Sequence, residues 1–199
     1  MSGVWGGTVR AMKVFSIGDN LGSMWVSHLA FRKEQRSNPS LSWLMPNLNH
    51  WSSDEIFIKS QNINITRENF QEFYTLLDSN DGLALWKDTK DLIEDLTPPG
   101  VELHCIYSYG VPTVEQLIFT QFPNGSHVKK EGDGDGTVNI RSLELCKQWS
   151  DKQNKPVITQ SFKRLNHNQI LKDKEVVKYI INVVKAISQQ SNDKKDDSS

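Results

Sequence analysis

The C-terminal half of the chain predicts an α/β fold, in which helices pack against a mainly parallel sheet. Residues 101–110 and 155–162 are short apolar stretches with the composition of strands. Residues 140–149 and 174–187 each follow one of them and carry apolar side chains at helical spacing. Strand, loop, helix, strand, loop and helix in this order are typical of βαβ units.

The N-terminal half predicts a helix followed by a long loop. The helix covers Val9 to Phe15, and the chain from Asp19 to Pro46 has no regular period. That loop nevertheless contains many large apolar residues, namely Met24, Trp25, Leu29, Phe31, Trp43, Leu44 and Met45. A loop of this length and composition is more often a functional flap than a linker.

Three further elements precede the βαβ units. Glu55–Lys59 predicts a short strand, and Thr66 predicts the N-cap of a helix. A second helix is predicted from Leu83 to Leu96, where Pro98 and the proline after it end it. The last residues, 189–199, are polar and predict a disordered tail.

Bulk properties exclude two classes of protein. The 199 residues carry 23 basic and 24 acidic side chains, which does not suit a nucleic-acid binder. No run approaches the roughly 18 apolar residues of a membrane span, and the start does not have the pattern of a secretory signal peptide. Asn64 and Asn124 stand in N-glycosylation sequons. Cys105 and Cys146 are either two buried thiols or one disulfide.

The acidic loop around Asp133 and Asp135 admits three interpretations. Its spacing to Glu144 resembles a calcium loop, but Val138 stands where such a loop needs glycine. The second interpretation is a solvated Asp-Gly turn. The third joins Asp135 to His167, 32 residues further on, with one helix and one strand between them.

That third interpretation matches the acid and the base of an α/β-hydrolase. Its triad runs serine, acid, histidine along the chain, each on a loop at the carboxyl edge of the sheet. The carboxylate of Asp135 would accept the Nδ1–H of His167, so that Nε2 faces a serine. The glycines on either side of Asp135 allow the sharp turn that this placement needs.

Seven motifs follow one another along the chain, namely WGGTVRAMKVFSIGDNLG, FRKEQRS, SWLMPN, NINITRENFQEFY, PPGVELHCIYSYGVPT, GDGDGTVNIRSLELCKQW and LNHNQIL. In this fixed order they resemble the lecithin–cholesterol acyltransferase family, and most of all its lysosomal, group XV phospholipase A/acyltransferase branch. They cover residues 4 to about 187. The resemblance implies an α/β-hydrolase fold with a lid and cap insertion, of which this chain holds the C-terminal part.

Carried over position by position, the resemblance assigns the site residues. The catalytic acid is Asp135 and the catalytic base is His167, preceded by Asn166 where the family more usually has a small or acidic residue. The resemblance also implies a disulfide between Cys105 and Cys146, and a glycan at Asn64. No metal and no cofactor is expected.

The same resemblance implies an organisation and a setting. Residues 1–18 would end the N-terminal core segment, 19–100 would form the lid and cap, and 101–188 would form the C-terminal core with the acid and histidine loops. Within the cap region, residues 19–43 would be the lid, whose exposed Met24, Trp25 and Phe31 touch a lipid surface. Lysosomal or extracellular proteins of this family act on phospholipids and lipophilic alcohols at membrane or lipoprotein surfaces.

The nucleophile of the family has no counterpart in this sequence. Its serine lies in a G-x-S-x-G elbow before the WGG motif, and no serine here has glycine at both of those positions. The expectation is therefore a chain truncated at its N-terminus, whose parent is a serine-dependent lipid acyl hydrolase and O-acyltransferase. The alternative is a non-catalytic lipid-binding fragment.

Overall fold

The computed structural model describes residues 1–93 and 95–196. The helices are α1 (Val9–Ile17), α2 (Arg32–Arg36), α3 (Pro39–Trp43), α4 (Phe70–Leu76), α5 (Asn80–Thr89), α6 (Ile140–Leu143) and α7 (Lys174–Asp196). The strands are β1 (Ile58–Lys59), β2 (Asn64–Ile65), β3 (Leu103–Tyr109), β4 (Thr113–Phe119), β5 (His127–Gly132) and β6 (Val157–Lys163). Two 3-10 helices cover Arg67–Asn69 and Glu144–Asp151.

Two sheets organise the described part of the chain. Strands β3 and β6 pair in parallel, from Leu103 opposite Val157 to Tyr109 opposite Lys163. This pairing confirms the predicted parallel sheet, with α6 in the connection between its strands. The second sheet has the order β2-β1-β4-β5, with β1 parallel to β4 and its other pairs antiparallel. It takes β1 and β2 from residues 19–100 and β4 and β5 from residues 101–188.

Three elements differ from their predictions. Two short helices, α2 and α3, interrupt the loop expected from Asp19 to Pro46, and α3 begins where the Asn38 side chain accepts the Ser40 N–H. Helix α5 ends at Thr89 instead of near Leu96, because Leu96 belongs to another core cluster. The β4–β5 hairpin was not expected, since the side chains of β5 are almost all exposed and do not alternate.

The predicted disordered tail, residues 189–199, is also corrected in part. Helix α7 continues through this segment to Asp196, well beyond the predicted end at Ile187. Glutamine and lysine are good helix formers and explain why the helix extends. Residues 197–199 lie outside the described residues.

The core consists of packed clusters on the faces of the two sheets. The largest joins α1, α4 and the four-stranded sheet around Phe15, Phe57, Phe73 and Tyr74. A second, around Cys105, Leu143 and Trp149, and a third, around Ile106, Ile170 and Val176, cover the β3–β6 pair. The β3–β6 pair therefore carries helices on both faces, as an α/β sheet requires.

The segment between α1 and α2 is fastened at its base by Asp19. The Asp19 carboxylate lies 3.0 Å from the Arg10 guanidinium and 3.3 Å from the Lys13 ammonium group, and it also accepts the Leu21 N–H. The Gln35 amide group accepts the N–H of Asp19 at 3.0 Å and donates to its carbonyl at 2.7 Å. The hydrogen bonds between Asp19 and Gln35 thus close the segment 20–34, which includes the first turn of α2.

This fastening predicts an acid-sensitive contribution to stability. Burial alone would raise the pKa of Asp19, but the Leu21 N–H and the charges of Lys13 and Arg10 outweigh burial and lower the pKa. A carboxyl group whose pKa is lower in the folded protein than in the unfolded chain stabilises the fold at pH values above the unfolded pKa. This stability is lost as pH falls through the folded pKa. Asp19→Asn should cost about 1–2 kcal/mol at pH 7, and less as pH falls below about 4.

Urea unfolding at several pH values measures the effect of Asp19→Asn. The matched control is Asp91→Asn, which removes an exposed carboxylate paired only with its neighbour Lys90. A difference between Asp19→Asn and wild type that stays constant down to pH 2 would contradict the proposed origin.

Candidate active site

Asp135 is held in one orientation by the loop that contains it. Its Oδ1 atom accepts the N–H groups of Thr137 at 3.1 Å and Val138 at 2.8 Å. The residue is fully buried, and its backbone forms a β-bridge with Val111, just after the end of β3. The acid therefore lies at the carboxyl end of β3, where functional groups of α/β sheets gather.

His167 lies on the loop after β6, next to Asp135. Its N–H donates to the Asp135 carbonyl at 2.8 Å, and its Nδ1 lies 2.7 Å from Asp135 Oδ2. An ionised carboxylate only accepts hydrogen bonds, so Nδ1 carries the proton and Nε2 presents its lone pair. In the described part of the chain no residue hydrogen-bonds to Nε2, and the His167 side chain is 29% exposed.

The arrangement of these two groups is that of a general base and its orienting acid. A buried carboxylate fixes the tautomer of the imidazole and stabilises the imidazolium that forms when Nε2 takes a proton. The sequence prediction placed both residues at this edge of the sheet, and the structure brings them into direct contact. The third member of such a site would be a hydroxyl in front of Nε2.

Several residues that position the acid loop were not identified from the sequence. The Thr113 hydroxyl accepts the Gly136 N–H at 2.8 Å, and Thr8 donates to the Thr137 carbonyl at 2.6 Å. The buried side chain of Asn139 accepts the Val9 N–H and donates to the Val114 carbonyl. Individual hydrogen bonds of this kind connect helix α1 and strand β4 to the acid loop. They leave no recognisable pattern in the sequence.

Gly136 forms the contact between the acid loop and the histidine loop. Its φ is +85°, in the left-handed region. An added Cβ would lie 3.2 Å from Val111 Cγ1 and 3.3 Å from Asn166 Oδ1. Asn166 precedes His167, so a side chain here pushes the two loops apart. Glycine is needed both for the backbone and for the approach.

Gly136→Ala should therefore lower stability by about 1–2 kcal/mol and weaken the Asp135–His167 contact. The matched control is Gly100→Ala, because Gly100 is also left-handed but has open space around an added Cβ. Urea unfolding measures the shared backbone cost, and the NMR shift of the His167 Nδ1 proton measures the contact. Equal Nδ1 proton shifts in the two variants would contradict this role of Gly136.

The remaining carboxylates of the acidic loop are engaged elsewhere. Asp133 accepts the N–H groups of Gly110 at 2.6 Å and Gly134 at 2.7 Å. Glu144 accepts the Tyr107 hydroxyl at 2.7 Å and pairs with Lys147. The carboxylates of the calcium interpretation therefore bind different partners. Within residues 1–93 and 95–196, no group of three or more His, Cys, Asp or Glu side chains is arranged to hold a metal.

The other predicted site residues have clear positions. A disulfide bond joins Cys105 of β3 to Cys146, just after α6, with the Cα atoms 6.3 Å apart and both residues buried. Asn64 lies on β2 and Asn124 on the turn between β4 and β5, and both are exposed. None of the helices that the structure describes is long and apolar enough to cross a membrane.

Comparison with known proteins identifies the family. A sequence model described as "Lecithin:cholesterol acyltransferase" matches residues 1–182. The chain belongs to the lecithin:cholesterol acyltransferase family. This family has the α/β-hydrolase fold, with which the mixed helices and strands agree.

Relatives with two different names match the chain. The chain is 40% identical over 165 residues to a phosphatidylcholine-sterol acyltransferase of Gallus gallus, covering 82% of this chain and 40% of that protein. It is 34% identical over 180 residues to the lysosomal phospholipase A and acyltransferase of Homo sapiens, covering 90% of this chain and 44% of that protein. The chain therefore spans about two fifths of the length of these relatives.

Proposed function

We propose that Asp135 and His167 are the acid and the base of a serine-dependent lipid acyl hydrolase and O-acyltransferase. The observation that carries the proposal is the 2.7 Å contact between His167 Nδ1 and the buried Asp135 carboxylate. Membership of a family whose relatives are named acyltransferases and phospholipases A supports the choice of reaction. The substrate class is a phospholipid, with water or a lipophilic alcohol as the acyl acceptor.

The proposed mechanism assigns one proton path to His167. Nε2 takes the proton of a serine hydroxyl as the serine oxygen bonds to the acyl carbon of the ester. The imidazolium, stabilised by Asp135, then gives that proton to the departing lysophospholipid alkoxide as the ester bond breaks. Water or an alcohol attacks the acyl-serine in the second half, and His167 moves the proton in the reverse direction.

The serine belongs, in this proposal, to a part of the protein outside these 199 residues. No serine of the chain lies in a G-x-S-x-G elbow, and the chain matches only about two fifths of its relatives. The test is phospholipid hydrolysis by the product of the complete reading frame that encodes this chain. Release of fatty acid and acylation of an added alcohol support the proposal, and a folded product without either activity contradicts it.

The lid is proposed as the part that meets the lipid surface. Met24 and Trp25 at its tip are 90% and 91% exposed, and Leu21 beside them is also exposed. Apolar side chains presented in this way insert into the boundary between head groups and acyl chains. The base of the loop is fastened through Asp19 and Gln35, which leaves the tip as the free part.

Trp25→Ala should reduce binding to phosphatidylcholine vesicles by about 10- to 100-fold, because one buried aromatic side chain contributes roughly 1.5–3 kcal/mol. Vesicle sedimentation measures the affinity, and the blue shift of tryptophan emission should become smaller in the variant. Leu92→Ala is the control, since Leu92 is 68% exposed but lies outside the lid. Equal losses in the two variants would show that the lid has no special role.

The setting of the protein is part of the same proposal. The disulfide between Cys105 and Cys146 is of the kind that persists in oxidising compartments. The exposed Asn64 offers an acceptor site for an N-glycan, which is added along the secretory route. We therefore place the protein in the lysosome or outside the cell.

The second candidate function is that of a non-catalytic lipid-binding chain. The absence of a G-x-S-x-G elbow from the 199 residues favours it, together with the exposed lid tip. Vesicle binding without hydrolysis by the product of the complete reading frame would support this function over the first.

A further inference from the structure

A cleft of about 490 Å³ lies between the C-terminal half of α1, the lid and the β4–β5 hairpin. Its basic lining residues are Lys13, His28, Arg32, His127 and Lys129. No acidic residue is among the described residues that line it. The basic cleft, as defined by these five residues, stands out in a chain whose net charge is only −1.

The positive charges of the basic cleft are only partly neutralised. The carboxylate of Asp19 lies 3.3 Å from Lys13 but is shared with Arg10 at 3.0 Å. On its other side, Arg32 lines a neighbouring pocket together with Asp78 and Asp81. Burial lowers the pKa of His127, and Lys129, His28 and Lys13 lower it further. Burial also lowers the pKa of Lys13. The charge of Asp19 raises this pKa, whereas the charges of Lys129 and Arg10 lower it further. Mutual repulsion of this kind is relieved when an anion binds.

The donors in the basic cleft suit a phosphate group. Arg32 donates from Nη1 to the Ser16 carbonyl at 3.3 Å, which holds its guanidinium at the cleft. A guanidinium has five N–H donors, so others are left for a ligand with several oxygen acceptors. Lys13 and Lys129 add two ammonium groups from different elements, α1 and β5.

The position of the basic cleft relates it to the candidate active site and to the lid. Helix α1 begins where Thr8 contacts the acid loop, and Lys13 is about 8 Å further along the helix axis. Four lid residues line the cleft, namely Ser27, His28, Leu29 and Arg32, while the lid tip at Met24 and Trp25 is exposed. A molecule with a phosphate group joined to apolar chains fits both features.

We propose that the basic cleft binds the phosphate group of a phospholipid, which the lid tip meets at the membrane surface. The identification of the phosphate carrier as a lipid rests on the proposed function, but the phosphate site itself does not. In this arrangement the cleft holds the head group while the lid contacts the apolar part of the bilayer. Head-group binding would then be separate from the acid–base pair.

The experiment compares two double variants of the 199-residue chain that remove the same charge. Arg32→Gln/Lys129→Gln removes two cations that line the basic cleft. Lys33→Gln/Lys130→Gln removes their sequence neighbours, which do not line it. Because successive strand residues point to opposite faces, Lys130 faces away from Lys129, and it lies 3.9 Å from Glu115. Circular dichroism and urea unfolding check that both variants fold.

Binding to phosphatidylglycerol vesicles is measured by sedimentation, without any need for catalysis. The proposal predicts that the cleft variant loses at least tenfold more affinity than the control variant. In wild type, inorganic phosphate at millimolar concentration should raise the pKa of His127 followed by NMR, and it should not do so in the cleft variant. These results would hold even if the complete protein had no hydrolase activity, so the two proposals fail separately.

Two outcomes would overturn the inference. Equal loss of vesicle affinity in the two double variants would show that only the overall charge matters. The second outcome combines two results: phosphate raises the pKa of His127 in wild type, but the cleft variant binds vesicles as tightly as wild type does. It would assign the cleft to free phosphate instead of a phospholipid.

Discussion

His167→Ala in the complete protein is expected to reduce phospholipid hydrolysis by about 10⁴- to 10⁶-fold, which is the range for loss of one member of a serine triad. The reason is the orientation of the imidazole ring. Its Nδ1 atom lies 2.7 Å from the Asp135 carboxylate, which leaves Nε2 free to exchange the proton. Without the imidazole, the serine proton has no acceptor and the leaving alkoxide has no donor. The initial rate of fatty-acid release from phospholipid vesicles measures the loss.

Asp135→Asn separates the orienting role of the acid from its place in the fold. Asparagine keeps an oxygen that accepts the Thr137 and Val138 N–H groups. It favours the wrong tautomer of His167, however, so the rate of phospholipid hydrolysis should fall roughly 10⁴-fold. The control is His104→Ala, since His104 pairs with Tyr179 and Glu102, away from the acid loop. A rate in Asp135→Asn within tenfold of wild type would contradict the assignment.

Removal of the disulfide is expected to be the largest effect on stability. Cys105 and Cys146 close a loop with a sequence separation of 41 residues, which corresponds to about 4 kcal/mol in the chain-entropy treatment. Cys105→Ala/Cys146→Ala should lower the free energy of unfolding by about that amount. Urea unfolding of the variant and of wild type measures the difference.

Reduction of the wild-type protein supplies the matched comparison for the disulfide. Wild type in dithiothreitol and the double alanine variant should unfold at similar urea concentrations, both well below oxidised wild type. If reduction leaves the unfolding midpoint of wild type unchanged, the bond does not stabilise this chain.

The disulfide also bears on the candidate site. It joins β3, which ends beside the acid loop, to the 3-10 helix that follows α6. The acid loop lies between these two fixed points. The unfolding measurements therefore also report on how firmly the frame around Asp135 is held.

The sequence predicted the elements whose pattern is local. Helix α1 and strands β3 and β6 were expected from their apolar spacing and are confirmed. The Thr66 cap is confirmed as well, because its hydroxyl accepts the Glu68 N–H. The proximity of Asp135 and His167 followed from loops placed after strands of a parallel sheet and from the family resemblance.

Other features depend on tertiary contacts that leave no local pattern. Strand β5 has an exposed, lysine-rich sequence and is held by its pairing with β4. Helix α5 stops at Thr89 so that Leu96 can reach the cluster where its carbonyl accepts the Trp149 Nε1–H. The basic cleft combines α1, the segment that contains His28 and Arg32, and the β4–β5 hairpin, and the hairpin is far from the other two in the chain.

The most direct test of the central claim is labelling of the complete protein with a fluorophosphonate probe, which reacts with an activated serine. We expect one labelled serine, outside these 199 residues, and loss of that labelling in both Asp135→Asn and His167→Ala. Labelling that persists undiminished in both variants would show that Asp135 and His167 do not activate the nucleophile.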